Sequence, residues 1–103
     1  MLRKFDIPEE LFPLVPDFFR RREEDIMHLH QALKEKNYQV ILFIGHQLKG
    51  IGSSYGFHDI SLAGEHLECA SRSQNDKELQ FWTNHLESIV RDLIKEVLPS
   101  LKS

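Results

Sequence analysis

The sequence predicts an all-α fold: an up-down-up-down four-helix bundle with a short extra N-terminal helix. Three observations predict it. Apolar residues recur at helical spacing through four long stretches. Glycine and proline are scarce and clustered, with Pro8, Pro13 and Pro16 early, Gly45, Gly50, Gly52, Gly56 and Gly64 central, and Pro99 late. No stretch alternates apolar and polar residues as a half-buried strand does. Amphipathic helices joined by short connections bury their apolar stripes against one another, which gives a bundle.

The elements follow in order. Asp6-Ile7-Pro8-Glu9-Glu10 reads as a helix cap, an early proline and an acidic first turn. That helix is short, because Pro13 and Pro16 interrupt the backbone ladder. A longer helix starts near Pro16, with Val15, Phe18, Phe19, Arg22, Ile26, Leu29 and Leu33 along one stripe. It ends in Lys34-Glu35-Lys36-Asn37, where Asn37 suits a left-handed terminator. The second long helix runs from about Gln39 to Ser54. The third runs from about Phe57 to Arg72, with Ile60, Ala63, Leu67 and Ala70 on one face. Ser73-Gln74-Asn75-Asp76 is a loop in which Asn75 or Asp76 caps the next helix. That last helix carries Leu79, Trp82, Leu86, Ile89, Val90, Leu93 and Val97 on one face.

Composition narrows the function. The 103 residues suffice for one domain, residues 1–103, with one modest core. With 41% hydrophobic and 28% charged residues, the chain is an ordinary globular one. No apolar run approaches the ~20 residues of a membrane span. Two basic residues near Met1 have no apolar stretch behind them, so no secretory signal is expected. Cys69 is the one cysteine, which excludes an internal disulfide and points to a reducing, cytoplasmic setting. A net charge of -3 argues against a nucleic-acid binder. A monomer is expected, with neither nucleic acid nor membrane as partner.

The second helix carries the chemistry. In ~100° steps from His46, Val40, Ile41, Ile44, Leu48, Ile51 and Tyr55 fall around the opposite pole. Gln39, Leu42, Phe43, Lys49, Gly50 and Ser53 share the His46 side. The imidazole is therefore expected to face water. Lys49, one turn on, could offset the charge of a phosphoryl group on that ring. Gly50, at i+4, leaves room for a bulky anion or an approaching protein. Leu42 and Phe43 could seat that protein. A plain surface histidine, with glycines serving close packing and Leu42 facing a neighbouring helix, fits the same spacing equally well.

Gly45-His46-Gln47-Leu48-Lys49-Gly50, followed by Ile51-Gly52-Ser53-Ser54-Tyr55-Gly56-Phe57, resembles the signature of histidine phosphotransfer (HPt) domains. That signature is H-x-L-K-G, a small-residue stretch and then glycine. Leu67-Glu68 is similar to the leucine-acid pair closing the family's third helix. The outer helices match in length and apolar pattern only. The resemblance implies that His46 exchanges a phosphoryl group with the aspartate of a response-regulator receiver domain, free or within a hybrid histidine kinase. It implies that Lys49 stabilises the phosphate, Gly50 keeps the site uncrowded and Gly56 separates two helices. Gln39, Leu42, Phe43, Ser53 and Gly56 are the expected partner-facing residues. The resemblance implies no ATP site, and the chain has no G-x-x-x-x-G-K-[ST] loop. No cofactor is expected on the chain itself, the Mg²⁺ belonging to the receiver. The alternative is a helical interaction module that uses the same surface without phosphorylation.

Other residues read more plainly. His28 and His30 diverge on a helix, and Asp25 with His28 makes one D-x-x-H pair where di-iron bundles need two. His58 lies near the expected site rim, and His66 and His85 read as surface residues. Arg20-Arg21-Arg22 before Glu23-Glu24-Asp25 reads as a solvated run pairing Arg20 with Glu24 and Arg21 with Asp25. Cys69 reads as a small packed residue. Trp82 and the phenylalanines other than Phe43 read as core.

Overall fold

A computed structural model describes residues 6–102. Phe5, expected in the core, and the Met1–Phe5 start considered for a signal lie outside them. Four α-helices follow one another: α1 (Val15–Glu35), α2 (Tyr38–Ser54), α3 (His58–Arg72) and α4 (Asp76–Lys102). The described residues contain no strand. Cross-helix neighbours establish the alternating directions. Gly45 lies against Gly64 and Glu68, while Gly52 lies against Phe57 and Ser61, so α2 and α3 run antiparallel. His30 meets Glu87 at 3.0 Å and Lys36 meets Asp76 at 2.5 Å, so α1 and α4 do too. The fully buried centre includes Leu29, Ile41, Leu48, Ile60, Leu67, Leu79 and Leu86. Phe18, Phe19, Tyr55 and Phe57 cluster near the α2–α3 turn, with Phe18 and Tyr55 rings 4.3 Å apart.

The N-terminal segment differs from the expected separate helix. Residues Glu9–Leu14 form a 3-10 segment that runs straight into α1. Pro13 has no N–H to give to any helical ladder, so the segment stays a short 3-10 stretch and does not grow into a separate α-helix. Asp6 does not cap it; Pro8 precedes the segment, with no side-chain cap. At the far end of α1 the left-handed residue is Lys36 (φ 54°), not Asn37. Asn37 instead starts α2, its side-chain oxygen accepting from Val40 N at 3.3 Å. An asparagine suits both jobs, and with only two residues between the helices the capping job prevails. Asn75 caps α4 in the same way, accepting from Glu78 N at 3.1 Å.

Most expected core positions are buried, with instructive exceptions. Val40 is exposed and Ile51 half-buried, while Gly45 and Gly52 are buried. The inward arc of α2 is thus rotated toward its glycine edge, where α3 approaches closely. Leu33, Trp82, Ile89 and Leu93 are half-buried. Phe81 is 57% exposed rather than core. Cys69 is exposed, because Gly64, Leu67, Glu68 and Ser71 take the inward arc of α3.

Candidate functional site

Small residues bring α2 and α3 together. A Cβ on Gly64 would lie 2.6 Å from Lys49 N and 2.7 Å from Gly45 O. One on Gly45 would lie 2.9 Å from Glu68 N, and one on Gly52 2.6 Å from Ser61 N. No side chain fits these positions without separating the backbones. Ser61 Oγ adds a polar tie by donating to Lys49 O at 2.5 Å and accepting from Ser53 Oγ at 2.9 Å. This close approach lets a short α3 side chain reach across to α2 beside His46.

That side chain is Glu68. His46 Nδ1 lies 3.1 Å from Glu68 Oε2. The imidazole side chain is 72% exposed, and the carboxylate side chain only 9%. Arg72, one turn along α3, donates from Nη2 to the same oxygen at 3.0 Å. The Lys49 ammonium stands 3.9 Å from the other oxygen, Oε1. Burial pushes the Glu68 carboxyl up, but hydrogen bonds from His46 and Arg72 outweigh burial and hold it below the ordinary glutamate value. Glu68 is therefore an ionised, acceptor-only group near neutral pH. Its partner Nδ1 must carry the proton. In the neutral ring, Nε2 then holds the lone pair. The arrangement presents a nucleophilic nitrogen to solvent from a ring fixed at its other end.

The residues singled out from the sequence distribute as follows. Lys49 is exposed and shares Glu68 with His46. Gly50 is exposed, and a Cβ there would meet nothing within 4 Å. Phe43 is 62% exposed. Leu42 is half-buried, and Gln39 and Ser53 are exposed. Gly56 is half-buried at φ +80°, with the Asp6 backbone packed where its side chain would be. It thus serves the α2–α3 turn and the docking of the N-terminal segment. Of the other glycines, Gly45, Gly52 and Gly64 are packing positions, and Gly50 is not.

Spacing on α2 alone missed Glu68 and Arg72. The available signal was an acid on the buried arc of α3, four residues after Gly64 and one after Leu67. An ionisable group within an apolar stripe requires a partner.

The remaining polar residues settle elsewhere. His66 stacks on Trp82 at 4.0 Å, and His85 stacks beside Phe81 at 5.7 Å. His58 is exposed at the start of α3. The basic run of α1 keeps the expected Arg20–Glu24 pair at 2.9 Å, but Arg21 does not pair with Asp25. Arg20 reaches both Asp17 and Glu24, Arg21 pairs with Asp17 at 2.8 Å, and Arg22 with Asp25 at 2.9 Å. Arg22 is buried against the Phe18 ring, which draws Asp25 inward and away from Arg21. Among the described residues no group of three or more His, Cys, Asp or Glu is placed to hold a metal ion. Among them, too, no helix is long and apolar enough to cross a membrane. Comparison with protein-family models, curated proteins and solved structures finds no match to the chain.

Proposed function

We propose that this chain is a phosphorelay carrier of the histidine phosphotransfer type, with His46 Nε2 as the phosphoacceptor. One observation carries the reading: an exposed imidazole whose inner nitrogen is held by a buried carboxylate. A core histidine would not stand exposed, and a metal-bound one would have further ligands beside it, which the described residues do not supply. The step balances without a cofactor on the chain. The Nε2 lone pair attacks the phosphorus of an aspartyl phosphate on a receiver domain. The P–O bond to the aspartate breaks, and its electron pair leaves with the aspartate carboxylate. The ring becomes a phosphorylated imidazolium whose Nδ1–H still faces Glu68. Glu68 offsets the charge that develops there, as an orienting carboxylate does for a general histidine nucleophile or base.

Lys49 supplies positive charge beside the incoming phosphoryl oxygens, while Arg72 helps keep Glu68 ionised. Gly50 leaves a side-chain-free space one turn beyond the imidazole for the partner to approach. Exposed Phe43 and half-buried Leu42 provide apolar contact area next to the nucleophile. The reading assigns the acidic pocket and Mg²⁺ to the receiver. It gives the chain no kinase activity of its own and places it in the cytoplasm with its partners.

The test is incubation with a receiver domain charged by acetyl phosphate, followed by intact-mass measurement. A gain of one phosphoryl group on the parent, absent in His46→Gln, is expected. Equal labelling of His46→Gln overturns the assignment. Unlabelled parent that binds the receiver as tightly as His46→Gln does would establish the non-phosphorylated interaction module instead.

A further inference from the structure

The α2–α3 surface continues past His46 into a cleft at the end of the bundle, with a volume of about 380 Å³. It is lined by Lys36, Asn37, Tyr38, Gln39, Leu42, Ser71, Arg72 and Gln74. Two cations and several amides and hydroxyls line it, and no carboxylate does. Lys36 pairs with Asp76 at 2.5 Å, and Arg72 with Glu68 at 3.0 Å, but neither acid lines the cleft. Asp76 also accepts from Tyr38 Oη at 2.7 Å and lines the neighbouring pocket with Lys36, so the Lys36 end of the cleft is already partly neutralised and Arg72 is its freer cation. An arginine has five N–H donors and a lysine three, so further donors remain for a ligand. Both side chains are well exposed, at 64% for Arg72 and 66% for Lys36.

The cleft is continuous with the phosphoacceptor surface on both helices. Leu42 stands four residues before His46 on α2, about 6 Å along the axis. Arg72 stands one turn after Glu68 on α3. A protein docked over His46 and Phe43 would therefore reach the cleft with its next surface element.

We propose that this cleft is a second docking point, which accepts an acidic side chain of the protein that exchanges phosphate with His46. The inference rests on the phosphorelay reading and adds to it a determinant of partner choice. Charge complementarity argues for the occupant: Arg72 keeps N–H donors beyond the one given to Glu68, and no acid lines the cleft itself. The apolar wall at Leu42 and the adjoining Phe43 favour a protein surface over a free anion.

The experiment changes the charge of the cleft at Gln74, an exposed loop residue with no part in the His46 contacts. Gln74→Glu and Gln74→Lys are compared with the parent. The donor is a receiver domain charged by acetyl phosphate, and the readouts are the transfer rate and its half-saturating receiver concentration. Labelling by phosphoramidate, which needs no docked protein, reports the imidazole separately. The half-saturating concentration should rise about tenfold in Gln74→Glu and fall in Gln74→Lys, with the maximal rate and phosphoramidate labelling maintained. The differences should shrink in high salt. Half-saturation within twofold of the parent in both variants, with the parent labelled normally, overturns the docking point and leaves the relay reading intact. Failure of the parent to take label from either donor overturns the relay reading, and the docking point with it.

Discussion

His46 and Glu68 meet across two helices, Nδ1 to Oε2 at 3.1 Å, with the ring in water and the carboxylate beneath it. The contact exists because Gly45 and Gly64 allow the helix backbones to touch one turn from it. Position and tautomer of the imidazole are thus set by a neighbour twenty-two residues away in sequence.

Removing that neighbour should slow transfer without unfolding the protein. Glu68→Ala should lower the transfer rate about tenfold, the effect of losing roughly 1.5 kcal/mol of hydrogen bonding to a charged group. Glu68→Gln keeps an oxygen that can accept from Nδ1 but loses the charge, and should fall between Glu68→Ala and the parent. Phosphotransfer kinetics on both variants decide this. Equal loss in the two would mean that the charge, not the orientation, carries the effect.

The two classes of glycine should separate in denaturation. Gly64→Ala forces a methyl against Lys49 N and Gly45 O and should cost about 1–3 kcal/mol. Gly50→Ala meets nothing and should stabilise by about 1 kcal/mol through helix propensity alone. Urea midpoints report both. Gly50→Phe should fold yet block transfer from a receiver, because it fills the approach that Gly50 leaves open.

Lys49→Ala should leave helicity unchanged and slow receiver transfer or shorten the life of the phosphorylated form. The ammonium is half-exposed, so the fold does not depend on it. Circular dichroism and the decay of label check the two halves of this statement.

Acid should destabilise the fold below about pH 4. Arg20 holds Asp17 below its ordinary value, and Lys36 does the same for Asp76. For Glu68, burial raises the value, and His46 and Arg72 lower it further than burial raises it. A carboxylate with a depressed folded value stabilises fully above its unfolded value. That contribution is lost as pH falls through the folded value. Asp25 has the opposite sign, since burial pushes it up and protonation relieves it. Three lowered groups against one raised group give net loss, with Glu68 the least screened by water. Urea midpoints from pH 7 to pH 3 should fall, and by less in Glu68→Gln.

Helix periodicity made the bundle legible. The stripes of α1, α3 and α4 needed no knowledge of neighbours, because a 3.6-residue repeat fixes which side turns inward. The outward aspect of His46 followed from the same arithmetic. What periodicity could not supply was the distance between helices. The rotation of α2 toward Gly45, the burial of Gly52 and the exposure of Val40 all result from how closely α3 approaches. Glu68 was legible only through the Leu67-Glu68 resemblance and Arg72 not at all, since the His46–Glu68 contact that gives them a role is long-range. At the turns, Asn37 offered two uses of one side chain, and the shortness of the α1–α2 connection chose between them.

The most direct measurement locates the phosphate on the ring. Protein labelled by a charged receiver domain can be examined by ¹⁵N-edited NMR of the His46 imidazole. Phosphate on Nε2, with Nδ1 still carrying its proton, is the predicted result. Phosphate on Nδ1, or on any residue other than His46, would contradict the account.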